Sequence, residues 1–242
     1  MPTISDNAVC IRRWDYSETS QTVCLFTYEH GIVRGIAKGA KRDSAKFSGG
    51  FDVLTRGEII AIVKPSVELA TLTEWHLVEV YRAVRQNLGA NRAGVYMADV
   101  VHHMLTDHDP HPRLYDELVA ALGELDVAEA VPGALLRLQW SVLRECGYQP
   151  ELDCDADTGE VLADDAETLA FNPSAGGVTA DTGAPDRWRV RPQTIDLLRR
   201  HARGEGGKED PESLGRANQL LAHYLRELMG KETAAWRWAW GG

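Results

Sequence analysis

The chain lacks any run of about 18 apolar residues, so no segment reads as a membrane-spanning helix. Its opening stretch, MPTISDNAVCIRRW, has neither a basic n-region nor an apolar h-region, so secretion is not expected. Cysteine is scarce. Cys10, Cys24, Cys146 and Cys154 lie far apart without C-x-x-C spacing, and three sit among apolar residues, where a reduced thiol behaves as a small hydrophobe. The cytoplasm is the expected compartment. Cys146 and Cys154 invite a zinc reading, but residues 155–188 contain neither Cys nor His to complete four ligands, so no zinc site is expected. There is no G-x-x-x-x-G-K-[ST] loop, G-x-S-x-G elbow or H-E-x-x-H helix, which removes the common signatures of nucleotide hydrolysis, acyl transfer and metalloproteolysis. No internal repeat is visible. These absences leave no catalytic residue and no cofactor to propose from motifs.

What is present is an ordinary globular composition, 44% hydrophobic and 26% charged over 242 residues, enough for one large or two modest domains. The net charge is −10, but it is unevenly spread. Residues 1–65 carry nine Lys/Arg against seven Asp/Glu, so the remainder sums to −12. Within the first part, residues 38–50, KGAKRDSAKFSGG, concentrate Lys38, Lys41, Arg42 and Lys46 among small residues. Fields act locally, within about 10 Å at moderate salt, so a basic loop can grip a polyanion on an acidic protein. Arg12, Arg13 and Arg34 are placed to extend such a surface, and Ser44 and Ser48 to donate to phosphate oxygens. Trp14, Tyr16 and Phe47 are candidate stacking platforms for unpaired bases. A merely solvated loop is the plain alternative.

Residues 8–75 read as β structure. AVCIRRW, QTVCLFTYE, GIVRGIAKGA, GEIIAIVK and VELATLTEW are rich in β-branched and aromatic residues. Turns are expected at His30-Gly31 and at Pro65-Ser66. Five short strands suit a small closed barrel, which hides its edges, and the basic stretch links the third strand to the fourth. From residue 76 the apolar period becomes helical: Leu77, Val80, Tyr81, Val84, Leu88, then Met97, Val100, Val101, Met104, Leu105. RLYDELVAALGEL, PGALLRLQWSVLREC, PQTIDLLRRHA and DPESLGRANQLLAHYLRELMG continue it, the last with Asp210 as N-cap and Pro211 at the first helical position. The expected class is α+β: a five-stranded barrel of the OB-fold type over 1–75, then a helical domain over 76–242. That domain is interrupted by a loop-rich, zinc-free insert at about 150–188.

Two further clusters have chemistry-bearing residues. HHMLTDHDPH, residues 102–111, places His103, Asp107, His108 and Asp109 close in sequence, a pattern that a metal-dependent phosphohydrolase could use to activate water. A polar helix end before Pro110 accounts for the same residues. The tail AAWRWAW carries three tryptophans, read as a cap on the helical core or as a docking patch for a partner. A pure protein-interaction scaffold is therefore a third possibility.

The ordered set of motifs resembles the bacterial DNA repair and recombination family RecO. It rests on LFTYEHGIVRGIAKGAKRDSAKFSGGFDVL, LRLQWSVLRECGYQPELDCD and FNPSAGGV, and covers almost the whole chain. Zinc-binding members place four cysteines in the insert. Here only Cys154 remains, with Asp157, Ala180 and Gly183 at the other three positions. The resemblance implies a non-enzymatic recombination mediator that binds single- and double-stranded DNA and anneals complementary strands. It further implies assistance to RecA loading together with RecR, and contact with the acidic C-terminal tail of the single-stranded-DNA-binding protein. By the same resemblance that tail docks on the helical domain, where Arg137, or alternatively Arg144, is the candidate cation for its carboxylate.

Overall fold

The computed structural model describes residues 2–42, 46–63, 67–162, 168–205 and 209–241. The expected turn at Pro65-Ser66 lies outside the described residues. The chain forms two compact units, Met1–Ala134 with Thr233–Gly242, and Leu135–Glu232.

The first unit begins with five strands: β1 (Thr3–Asp15), β2 (Gln21–Thr27), β3 (Gly31–Ala37), β4 (Thr55–Ile62) and β5 (Ala70–Val80). They close into a barrel in the order β1-β2-β3-β5-β4. All pairs are antiparallel except β3 with β5, which run parallel from Gly35↔Ala70 to Ala37↔Leu72. This is the OB-fold barrel that the alternation of apolar residues predicts. Ala8, Cys10, Val23, Leu25, Val33, Ile59, Leu72 and Trp75 fill its interior. Each fully buried side chain of leucine size contributes about 1.5–3 kcal/mol.

The barrel ends later than the sequence suggests. β5 runs to Val80, so Leu77 and Val80 are strand residues rather than the start of a helix. Register shifts against β4 leave Val78 and Thr73 as extra residues on β5. An extra residue breaks the two-residue period and spaces the apolar positions by three, which imitates a helix. Helices begin with the short α1 (Ala83–Gln86) and α2 (Leu88–Met104), whose Met97, Val100 and Val101 are buried as expected. α3 (Pro112–Glu124) starts on a proline at its first turn, and α4 (Val131–Glu145) begins in the first unit and ends in the second.

The second unit contains α5 (Pro192–Ala202), α6 (Pro211–Met229) and a three-stranded sheet ordered β7-β6-β8, from β6 (Leu169–Asn172), β7 (Gly177–Ala180) and β8 (Trp188–Val190). Asp210 caps α6 by accepting a hydrogen bond from the Ser213 N–H at 2.8 Å, and Gly230 ends the helix in the left-handed region at φ 64°. α7 (Ala234–Trp240) belongs to the first unit, where Trp236 is buried and Trp240 meets Tyr96 edge-on at 5.5 Å. That contact places the tryptophan-rich tail against α2.

The insert, read from sequence as irregular, therefore contains a sheet, and two aspartates knit it. The Asp155 carboxylate accepts from the N–H groups of Asp157, Thr158 and Ala180 and from the Thr179 hydroxyl. Burial by itself raises the pKa of this carboxyl, but those hydrogen bonds outweigh it and pull it down to about 2. Asp157 adds Asn172 at 2.8 Å and the Arg187 guanidinium at 2.8 Å. Thus the knuckle at residues 154–161 is fastened to β7 through carboxylate oxygens. Of the positions that the resemblance assigns to metal ligands, Asp157 takes part in this network and Ala180 supplies its backbone N–H.

Candidate nucleic-acid interface

The stretch after β3 is held at both ends. The Gly39 N–H donates to Ser20 Oγ at 3.1 Å and the Lys41 N–H to the Thr19 carbonyl at 3.0 Å, fixing its start to the β1–β2 turn. Gly39 adopts φ +72°, a conformation that a side chain resists. At the far end the buried Gln21 side chain clamps Phe51, accepting from its N–H at 2.9 Å and donating to its carbonyl at 3.2 Å. The Lys46 carbonyl accepts from the Trp75 N–H at 2.7 Å. Ala40, Phe47 and Phe51 turn into the barrel core, with Phe51 packing on Trp75 at 4.8 Å. Inward apolar residues leave the interleaved cations outside: Lys38, Lys41, Arg42 and Lys46 are all exposed.

The seven candidate cations divide sharply. Lys38, Arg42 and Lys46 make no ion pair with any described residue. Lys41 pairs with Asp15 at 2.7 Å, and its hydrogen bond pulls the Asp15 carboxyl below the usual range. Arg13 reaches Asp52 at 3.4 Å. Arg34 is bound to Asp107 at 3.0 Å, and Arg12 to Asp99, a buried carboxylate on α2. Asp99 also accepts from the Thr233 hydroxyl at 2.5 Å, and His103 lies 3.2 Å from the Arg12 guanidinium. The free cationic surface is therefore narrower than the sequence implies: the loop remains, while Arg12 and Arg34 serve as structural ties to α2 and the segment after it.

The aromatic candidates divide in the same way. Trp14 is 50% exposed and Tyr16 66% exposed, on the β1 end and turn to which the loop is hydrogen-bonded. Phe47 is only 5% exposed and forms part of the barrel core, so its ring has no face for a base. Its reading as a stacking platform is overturned. Ser48 is also committed, donating to the Trp75 carbonyl at 3.1 Å. Ser44 lies outside the described residues.

The His/Asp cluster does not converge. Asp107 is tied to Arg34, Asp109 to His111 at 3.3 Å, and His103 to Asp99 at 3.5 Å. The His108 N–H donates to the Ile32 carbonyl at 3.1 Å, and a Cβ on Gly31 would lie 2.2 Å from the Asp109 carbonyl oxygen. The backbone of the segment thus packs against β3, while Asp107, Asp109 and His103 are engaged with three separate partners. Among the described residues no three His, Cys, Asp or Glu side chains group as metal ligands. The phosphohydrolase reading loses its geometry. Nearby, His102 lies 3.5 Å from Cys24, with its pKa lowered to about 4 by burial, then by Arg12, His103 and Arg34.

Comparison with known proteins fits this arrangement. A family model described as "Recombination protein O N terminal" matches residues 1–81, and one described as "Recombination protein O C terminal" matches residues 85–237. The chain belongs to the recombination protein O family. It is 30% identical to "DNA repair protein RecO" of Anaeromyxobacter dehalogenans (strain 2CP-C) across 98% of this chain and 96% of that one. It is 33% identical to the protein of that name from Geobacter sulfurreducens across 94% of this chain and 96% of that one. The family is one of DNA repair and recombination proteins, and the boundary between its two models falls just after β5. No helix among the described residues is long and apolar enough to cross a membrane.

Within the second unit, the two arginines that the resemblance assigns to a partner share one neighbourhood. Arg137 is half-buried on α4, and Arg144 is exposed one further stretch along it, 3.4 Å from Glu145. His201 on α5 meets Trp140 edge-on at 5.8 Å, and its pKa is lowered by burial first, then by Arg137 and Arg144. The packing of His201 on Trp140 beside these arginines was not legible from α4 alone, because His201 enters from another helix.

Proposed function

We propose that this chain is a non-enzymatic recombination mediator whose barrel binds single- and double-stranded DNA through the loop after β3. The observation that carries the reading is the set Lys38, Arg42 and Lys46, exposed and without carboxylate partners among the described residues, next to exposed Trp14 and Tyr16. Cations on a backbone-anchored loop neutralise phosphates without reading sequence, and neighbouring rings accept unpaired bases. Annealing needs such a surface, because two phosphate chains must approach while base edges stay free to pair. Lys41 and Arg13 hold exposed ion pairs that phosphate can replace at small cost. In repair, the chain would assist RecA loading together with RecR. The acidic C-terminal tail of the single-stranded-DNA-binding protein would dock near Arg137 and Arg144, where its carboxylate meets clustered positive charge.

The test is annealing of complementary oligonucleotides, with and without the single-strand-binding protein. Replacing Lys38, Arg42 and Lys46 together by alanine should slow annealing in both arms. Replacing Arg137 and Arg144 should slow only the arm with the coated strand. Full annealing by the triple variant would reject the loop as the DNA surface.

A further inference from the structure

The tryptophan-rich tail takes no part in the DNA surface proposed above. In α7, Trp236 and Trp240 are four residues apart and share one helix face, whereas Trp238 lies on the opposite one. Trp236 is buried and Trp240 meets Tyr96 of α2 edge-on at 5.5 Å, so these two anchor the helix. Its start is fixed as well: the Thr233 side chain accepts from the Trp236 N–H at 3.0 Å and donates to Asp99 at 2.5 Å. Trp238 has no such task. It is 42% exposed, and the Arg92 guanidinium of α2 lies over its ring, 5.8 Å from the centroid. Arg92 is itself exposed and makes no ion pair with any described residue.

The charge of the surrounding face is a separate observation. In a chain of net charge −10, the 17 residues of α2 and the seven of α7 hold a single carboxylate, Asp99, which is buried and bound by Arg12. The exposed charges of the two helices, Arg92 and Arg237, are both cationic. No exposed carboxylate on either helix opposes a polyanion. The face also adjoins the surface proposed for the barrel. Arg12 and the exposed Trp14 are two residues apart on β1, hence on one side of the sheet; Arg12 holds Asp99, and Asp99 holds Thr233 at the start of α7. Trp238 follows Thr233 by about 7.5 Å along the helix axis.

We infer that this α2–α7 face is a second contact for single-stranded DNA. A base stacks on the Trp238 indole, and Arg92 and Arg237 neutralise the flanking phosphates, so a strand that leaves the barrel past Trp14 continues over α7. Every base has a face that can stack, so the contact is indifferent to sequence, which suits strand annealing. An open indole beside spaced cations fits stacked bases between phosphates, whereas acidic peptides are held by arginine clusters, in grooves or along sheet edges. This contact rests on the barrel's DNA binding and extends its footprint.

Binding of the full chain to oligothymidylates of about 8 and about 30 nucleotides tests it, since one barrel of this class covers about 4–16. Trp238→Ala should leave the short strand unchanged and weaken the long one about tenfold, and Trp238→Phe should restore most of the loss. Arg92→Ala should weaken the long strand about threefold and lower the magnitude of its salt slope by about 0.7. Both positions are exposed, so circular dichroism and the urea midpoint should match wild type. The Lys38/Arg42/Lys46→Ala variant should weaken both strands. If it does, while Trp238→Ala loses equally on both lengths or on neither, the second contact alone is overturned. Unchanged binding of both strands by the loop variant overturns the barrel reading instead. If Trp238→Ala keeps its affinity for the long strand but loses affinity for an Asp- and Glu-rich peptide, the face belongs to a protein partner and the second DNA contact falls.

Discussion

Arg12 and Arg34 stand on either side of Cys24 across β1, β2 and β3, while Lys38, Arg42 and Lys46 follow β3 directly. Both sets are cations of one barrel, yet the first is matched with Asp99 and Asp107 and the second has no matching carboxylate among the described residues. The difference teaches that pairing sorts the cations of one barrel: a buried carboxylate fixes Arg12 to the fold, whereas exposed loop cations without a partner stay open to a polyanion. The strand arginines face α2 and the segment after it, where a buried carboxylate needs a cation. The loop cations alternate with Ala40 and Phe47, whose burial turns their neighbours outward.

The largest effect should come from breaking the matched set. Arg12→Ala leaves Asp99 buried without its guanidinium and should destabilise the first unit by about 3 kcal/mol in urea unfolding. Single-strand affinity at a temperature where the variant stays folded should barely change. Asp155→Asn should cost about 2 kcal/mol, because its amide presents a donor to the Ala180 N–H or to the N–H groups of Asp157 and Thr158. The carboxyl has its pKa lowered from 3.8 to about 2, so its contribution is complete above about pH 4 and is lost as pH falls towards 2. Wild-type acid unfolding should show that loss, and the variant should lack it.

Trp14→Ala should weaken single-strand binding by about 1–2 kcal/mol with little change in stability, since half of the ring is exposed. Phe47→Leu should do the reverse, lowering stability while binding is retained. The smallest effect belongs to Arg34→Ala. Its pair with Asp107 is solvent-exposed on both sides and should contribute at most about 1 kcal/mol, with DNA affinity nearly unchanged.

Much of this contrast was beyond reach of the sequence for a physical reason. The five strands were legible because β-branched and aromatic residues cluster locally between turns, and α6 because Asp210, Pro211 and its apolar stripe are local signals. The capping of Arg12 and Arg34 depends on residues 87 and 73 positions away, which no local pattern reports. Phe47 beside a basic run looks the same whether it stacks on bases or plugs a barrel; contact with Phe51 decides for the plug. The bulges at Thr73 and Val78 disguised the end of β5 as helix. β6, β7 and β8 are four, four and three residues long, too short for alternation to show among the turn residues of the insert. Arg137 and Arg144 were readable on α4, but the packing of His201 beside them needed α5 as well.

The most direct measurement is the slope of log affinity for single-stranded DNA against log salt, taken for wild type, the Lys38/Arg42/Lys46→Ala variant and the Arg34→Ala variant. Each lost phosphate contact lowers the slope's magnitude by about 0.7 on a single strand. The account predicts a drop of about 2 for the loop variant and no resolvable change for Arg34→Ala. Equal slopes for wild type and the loop variant, or a larger drop for Arg34→Ala, would contradict it.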